Sequence, residues 1–92
     1  MALKKLLKIK DRMTKPEHWC QHIFNNGPAH CLYGWTCEVY KSFIKQEKVA
    51  VMIHNHLKVY DGMTPRASIM YWNDSPDRTF QQVRALVTKL NI

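Results

Sequence analysis

The chain has 92 residues, enough for one domain with one modest core. With 46% hydrophobic and 23% charged residues it has the balance of an ordinary globular protein, which excludes disorder as its main state. Fourteen Lys and Arg against seven Asp and Glu leave +7, a charge that speaks of an anionic partner: nucleic acid, an acidic protein surface or an anionic membrane.

Residues 2–13 read as an amphipathic helix. Leu3, Leu6, Leu7 and Met13 share one side, while Lys4, Lys5, Lys8, Arg12 and Lys15 gather opposite them. Lys10 falls inside the apolar arc and must snorkel or face a partner. Pro16 ends the helix. Residues 18–24 suggest a short strand, closed by the Asn25-Asn26-Gly27-Pro28 turn signal. Residues 29–45 read as one central helix, with Leu32, Trp35, Val39 and Phe43 as one stripe and Tyr33, Cys37, Tyr40 and Ile44 as a second.

Residues 47–60 fit either a buried strand or a helix. The spacing of Val49, Ile53, Leu57 and Tyr60 favours helix, and the β-branched content favours strand. Asp61-Gly62 and Thr64-Pro65 mark a loop, and Ile69–Trp72 reads as a second short strand, broken by Asn73-Asp74-Ser75-Pro76. Thr79 and Gln82 form a capping box ahead of a last helix whose apolar stripe is Phe80, Val83, Leu86, Val87 and Leu90, with Arg84 and Lys89 off the stripe. The expectation is a single domain over residues 1–92, α+β in class, with three to four helices packed with a small antiparallel β-sheet.

No segment has the roughly 18 consecutive apolar residues of a membrane span. Three cysteines cannot all pair within the chain, and the N-terminal lysines and leucines interleave rather than segregate as in a signal peptide. Reduced thiols and a cytoplasmic location follow as expectations. His18, Cys20 and His22 alternate, as do His54 and His56, and His30 adjoins Cys31, but none of these has the spacing of a structural zinc site. No carboxylate pair, phosphate-binding loop or dinucleotide fingerprint is present, so the sequence predicts no catalytic residue, cofactor, metal or small-molecule substrate.

The sharpest feature is cationic. Lys4, Lys8, Arg12 and Lys15 would stack along one helical ridge of about 17 Å. Only Asp11 is acidic among the first fifteen residues, whereas a merely solvated face mixes both signs. Such a ridge can follow a phosphate backbone. Lys5, Lys41, Lys45, Lys48, Arg66 and Arg78 are further candidate contacts. Trp19, Tyr33, Tyr40 and Tyr71 are candidates for stacking on bases, or are core. The Trp72-Asn73-Asp74 to Arg78-Thr79 segment reads as architecture: an Asx-type turn leading to a helix cap.

Two resemblances follow from these residues. The run Trp72-Asn73-Asp74-Ser75-Pro76-Asp77-Arg78-Thr79, the helix after it and the earlier Cys31-Leu32-Tyr33-Gly34 are similar to a small uncharacterised bacterial and phage domain family. Over its whole length the chain resembles phage-encoded anti-CRISPR proteins of the type I-F inhibitor group. That resemblance implies a non-enzymatic inhibitor acting in the host cytoplasm. Its partners would be the Cas proteins and crRNA of the type I-F Cascade (Csy) surveillance complex, and it would block target DNA hybridisation. A +7 chain is no DNA mimic, so the expected mode is basic contact with guide RNA phosphates and Cas backbone subunits. The alternative expectation is a stand-alone basic nucleic-acid-binding regulator.

Overall fold

Local capping chemistry divides the chain into helices. In the computed structural model, which describes residues 8–58 and 60–92, these are α1 (Ile9–Arg12), α2 (Leu32–Val39), α3 (Phe43–Leu57), α4 (Pro65–Asn73) and α5 (Phe80–Leu90). Two-residue strands β1 (Asn25–Asn26) and β2 (Ala29–His30) form an antiparallel hairpin, with Asn25 opposite His30 and Asn26 opposite Ala29. The class is therefore α+β, as expected, with helices carrying nearly all of the core. No helix among the described residues is long and apolar enough to cross a membrane.

Each of the four longer helices opens on a side-chain cap. Cys31 Sγ accepts from the Gly34 amide, Ser42 Oγ from Lys45, Thr64 Oγ1 from Ala67, and Thr79 Oγ1 from Gln82. The Gln82 side chain accepts from the Thr79 amide in return, closing the expected capping box. The core joins Ile9 and Met13 to Leu32 and Trp35 of α2, Val49, Ala50 and Ile53 of α3, Ile69 of α4, Val83, Leu86 and Val87 of α5, and Ile92. The expected stripe of α5 is thus its core face.

Three expectations fail locally. The central helix does not run unbroken from 29 to 45. Tyr40 is extended, Ser42 caps a new helix, and the Gln46 amide donates to the Tyr40 carbonyl at 2.7 Å to hold the corner. Phe43 consequently leaves the core stripe and is 73% exposed. Residues 69–72 are helical rather than a strand, because Thr64 caps and Pro65 opens a helix that runs through them. Residues 18–24 form no strand either. A 3-10 turn at Pro16–His18 leads into irregular chain that touches His30 through one parallel bridge at Trp19, and His22 adopts a left-handed φ of 70°. The ambiguous 47–60 segment is helical as far as Leu57, where Lys58 ends α3 in the left-handed conformation.

Asn73, fully buried at the end of α4, ties these parts together. Its Oδ1 accepts from the Trp19 indole at 2.6 Å and from the Leu32 amide at 2.9 Å, while its Nδ2 donates to the Cys20 carbonyl at 3.1 Å and to Asp74 Oδ1 at 2.9 Å. Asp74 Oδ1 also accepts from the His22 amide, and the Gln21 side chain donates to the carbonyls of Asn73 and Ser75. All four hydrogen-bonding positions of the Asn73 amide are used, so one side chain anchors loop 19–22 and the first turn of α2. Gly34 completes the joint. The Phe24 carbonyl packs so close that a Cβ at position 34 would lie 2.7 Å from its oxygen.

Candidate nucleic-acid interface

The cations named from sequence fall into two kinds. Lys4 and Lys5, with the start of the expected 2–13 helix, lie outside the described residues. Within them, α1 is a single turn that ends at Arg12. Lys15 lies beyond it in extended backbone, φ −133° and ψ 152°. The helical ridge through Lys8, Arg12 and Lys15 is therefore not formed among the described residues. Lys8 instead lines an apolar groove of about 320 Å³ with Tyr40, Lys45, Val49, Met52 and Ile92. Arg12 turns inward, its guanidinium 5.5 Å from the Trp35 ring centroid and its Nη2 3.3 Å from Glu38 Oε2.

Arg78 is also committed to the fold. Its guanidinium lies 4.0 Å over the Trp72 ring, Nε donates to the Trp72 carbonyl at 2.9 Å and Nη1 to Gln82 Oε1 at 3.3 Å. It clamps the end of α4 onto the start of α5. Arg66 is exposed and lies over Tyr33, 5.3 Å from the ring centroid. Arg84, read from sequence as peripheral, donates to the Lys10 and Met13 carbonyls and pins α1 to α5. It satisfies carbonyls at a helix end, a role that no local pattern reveals because α1 and α5 are some seventy residues apart.

Lys41, Lys45 and Lys48 form the free group. All three are exposed around the first turns of α3, and Lys45 and Lys48 stand at i, i+3 on one side of it. Among the described residues the one ion pair is Arg12–Glu38, so no carboxylate is paired with these lysines. The aromatic candidates divide as well. Trp19 and Tyr40 are half-buried and hydrogen-bonded inward, to Asn73 and to the Ile92 carbonyl. Tyr71 is 65% exposed and edges onto Tyr60, ring centroids 5.7 Å apart.

A cleft of about 520 Å³ is lined by Asp11, Arg12, His18, His30, Trp35 and Glu38 among others. His18 Nδ1 accepts from the amides of Thr14 and Lys15, which puts the proton of the neutral ring on Nε2. His30 Nδ1 meets the Asn25 side-chain oxygen and must donate to it. Burial pushes the His30 pKa down, with Arg12 adding to that effect and Glu38 opposing it. Two carboxylates against one internally paired arginine make this cleft a poor seat for a phosphate. Burial raises the pKa of Cys20, Cys31 and Cys37, so the thiols stay protonated at neutral pH and are weak nucleophiles. Among the described residues no group of three His, Cys, Asp or Glu side chains is placed to hold a metal ion.

Comparison with known proteins adds one result. No curated protein and no solved structure matches the chain. A family model does match, over residues 2–90, and its description is a family of unknown function (DUF6197). Since the match spans nearly the whole sequence, the chain belongs to the DUF6197 family.

Proposed function

We propose that the chain works by stoichiometric binding to an anionic macromolecule, without catalysis. One observation carries the reading: Lys41, Lys45 and Lys48 are exposed together around the start of α3, and among the described residues no carboxylate is paired with them. Each such cation can neutralise a phosphate and release its counterion. The +7 net charge adds a long-range attraction for the same partners.

The narrower form of the proposal comes from the whole-chain resemblance. In it the partner is the type I-F Cascade (Csy) complex with its crRNA, and the chain blocks target DNA hybridisation in the host cytoplasm. Lys41, Lys45, Lys48, Lys15 and Arg66 are exposed and could make such contacts, while Arg12 and Arg78 support the surface from within. The test is target-DNA binding by the purified surveillance complex, with and without the chain. Inhibition at one chain per complex, weakened by Lys45→Glu with Lys48→Glu, supports this form. An inert complex together with salt-sensitive binding to free DNA or RNA supports a stand-alone nucleic-acid-binding regulator. Binding to neither overturns the proposal.

A further inference from the structure

Four of the six large apolar side chains exposed among the described residues stand on α3: Phe43 at 73%, Ile44 at 70%, Met52 at 44% and Val51 at 40%. The core side of the helix is accounted for by Val49, Ala50 and Ile53, and these four lie outside that core. Ile44, Lys48 and Val51 follow i, i+4, i+7 and point away from the core, with Phe43 and Met52 to either side. The stripe is about 10 Å long, two helical turns. Beyond Met52 the surface dips into the groove that Lys8 and Lys45 border.

We propose that the outer face of α3, with Phe43, Ile44, Val51 and Met52 bordered by Lys45 and Lys48, is a docking face for an acidic amphipathic helix of a partner protein. The inference shares with the binding reading above only the exposed Lys45 and Lys48, and it goes beyond that reading by adding a protein segment as the occupant. Charge selects that occupant. With Lys48 between Ile44 and Val51, Lys45 beside Met52 and one carboxylate at Glu47, the face is net cationic, which matches a helix with leucine-like residues on one side and carboxylates beside them. A second copy would set two lysines and one carboxylate against the same set, a net repulsion. The four side chains also expose only on the order of 400 Å², against about 800 Å² per partner in a standard interface. Glu47 lies between Phe43 and Val51 on the outward side, where a bilayer would have to desolvate it and anionic lipids would repel it. A helix can answer it with one basic residue. Of the four apolar side chains only Phe43 offers a ring for a base to stack on.

The probe is a fluorescein-labelled synthetic helical peptide with leucines on one face and glutamates on the other. Its counterpart carries lysines for glutamates, and the measurement is fluorescence anisotropy against the full chain. The glutamate peptide should bind and the lysine peptide should not. Ile44→Ser with Val51→Ser, and separately Lys45→Glu with Lys48→Glu, should each weaken binding about tenfold or more. All four positions are exposed, so circular dichroism should show the fold intact. Oligonucleotide binding should fall with the lysine pair and survive the serine pair. The inference is overturned if neither peptide binds, if the serine pair leaves peptide affinity unchanged, if the chain sediments as a dimer that the serine pair dissolves, or if phosphatidylserine vesicles capture the chain while the peptide does not. Peptide binding without any binding to nucleic acid or the surveillance complex would leave this inference standing and sink the proposed function instead.

Discussion

The Trp19 indole N–H donates to the side-chain oxygen of Asn73 over 2.6 Å, a contact between residues 54 positions apart. That oxygen also takes the Leu32 amide, so a side chain on α4 sets both the path of the loop and the start of α2. Replacing Asn73 by Ala removes the partner of the buried Leu32 amide and of the half-buried Trp19 indole and Cys20 carbonyl. The expected cost is about 3 kcal/mol or more. Asn73→Asp keeps an acceptor but loses the donor and adds a charge beside Asp74, so it should fare no better. Urea unfolding measures both. A loss under 1 kcal/mol in Asn73→Ala would show that this network is not a stability centre.

Gly34→Ala should destabilise by about 1–3 kcal/mol, because the new methyl must push the Phe24 carbonyl out of a 2.7 Å approach. Gly62→Ala is the informative contrast. Its φ of 87° makes alanine strained, but nothing lies within 4 Å of the added methyl. Its cost should come from backbone strain alone, about 1 kcal/mol. A Gly34→Ala protein that melts like the wild type would refute the close packing at Gly34.

Charge reversals should separate cations that bind from cations that brace. Lys45→Glu with Lys48→Glu should keep the melting temperature and lose affinity for the anionic partner. Arg84→Glu should lower the melting temperature, since it removes the donor to the Lys10 and Met13 carbonyls and presents them with a carboxylate. Arg12→Glu should also destabilise, by facing Glu38 with a like charge and stripping Trp35 of its cation. An Arg84→Glu protein that melts like the wild type would contradict the placement of α1 against α5.

Stability should fall on the acid side of neutrality. Burial depresses the His30 pKa in the folded chain, so between that value and the ordinary one, about 6.5, the unfolded chain binds more protons. The contribution is complete above the ordinary value and is lost as pH falls through the folded one. Cys31 acts in the opposite direction at high pH. Burial raises its pKa, so stability should decline as pH climbs past about 8.5, towards its folded value. Urea unfolding from pH 5 to 10 measures both limbs. A His30→Gln protein with an unchanged acid limb would assign that limb elsewhere.

What the sequence discloses here is what neighbouring residues decide. The Thr79–Gln82 box and the Val83, Leu86, Val87 stripe are readable because a cap and its helix lie within a few residues of each other. The break at residues 40–42 is harder. Phe43 and Ile44 prolong the apolar stripes of α2 in register, and only Ser42 marks the restart. Ile69–Trp72 looks like a strand by composition, and the Thr64-Pro65 start that makes it helical can equally be taken for a loop. Arg12 and Arg84 look like surface charge until their distant partners appear, since Glu38 is 26 residues from Arg12 and the Lys10 carbonyl 74 from Arg84. Lys41, Lys45 and Lys48 were legible as candidates because exposed lysine needs no partner to explain it.

The Asn73 joint also bears on how the chain is born. Synthesis delivers Trp19 and the Leu32 amide long before the side chain that receives them. Until α4 leaves the ribosome, the loop and the α2 start lack the Asn73 side chain, and the core lacks Ile69, Val83, Leu86, Val87 and Ile92. A nascent chain stalled before residue 73 therefore presents a sticky, unsettled N-terminal half. It should be held by general chaperones until the last fifth of the sequence is drawn out and closes the fold in one cooperative step.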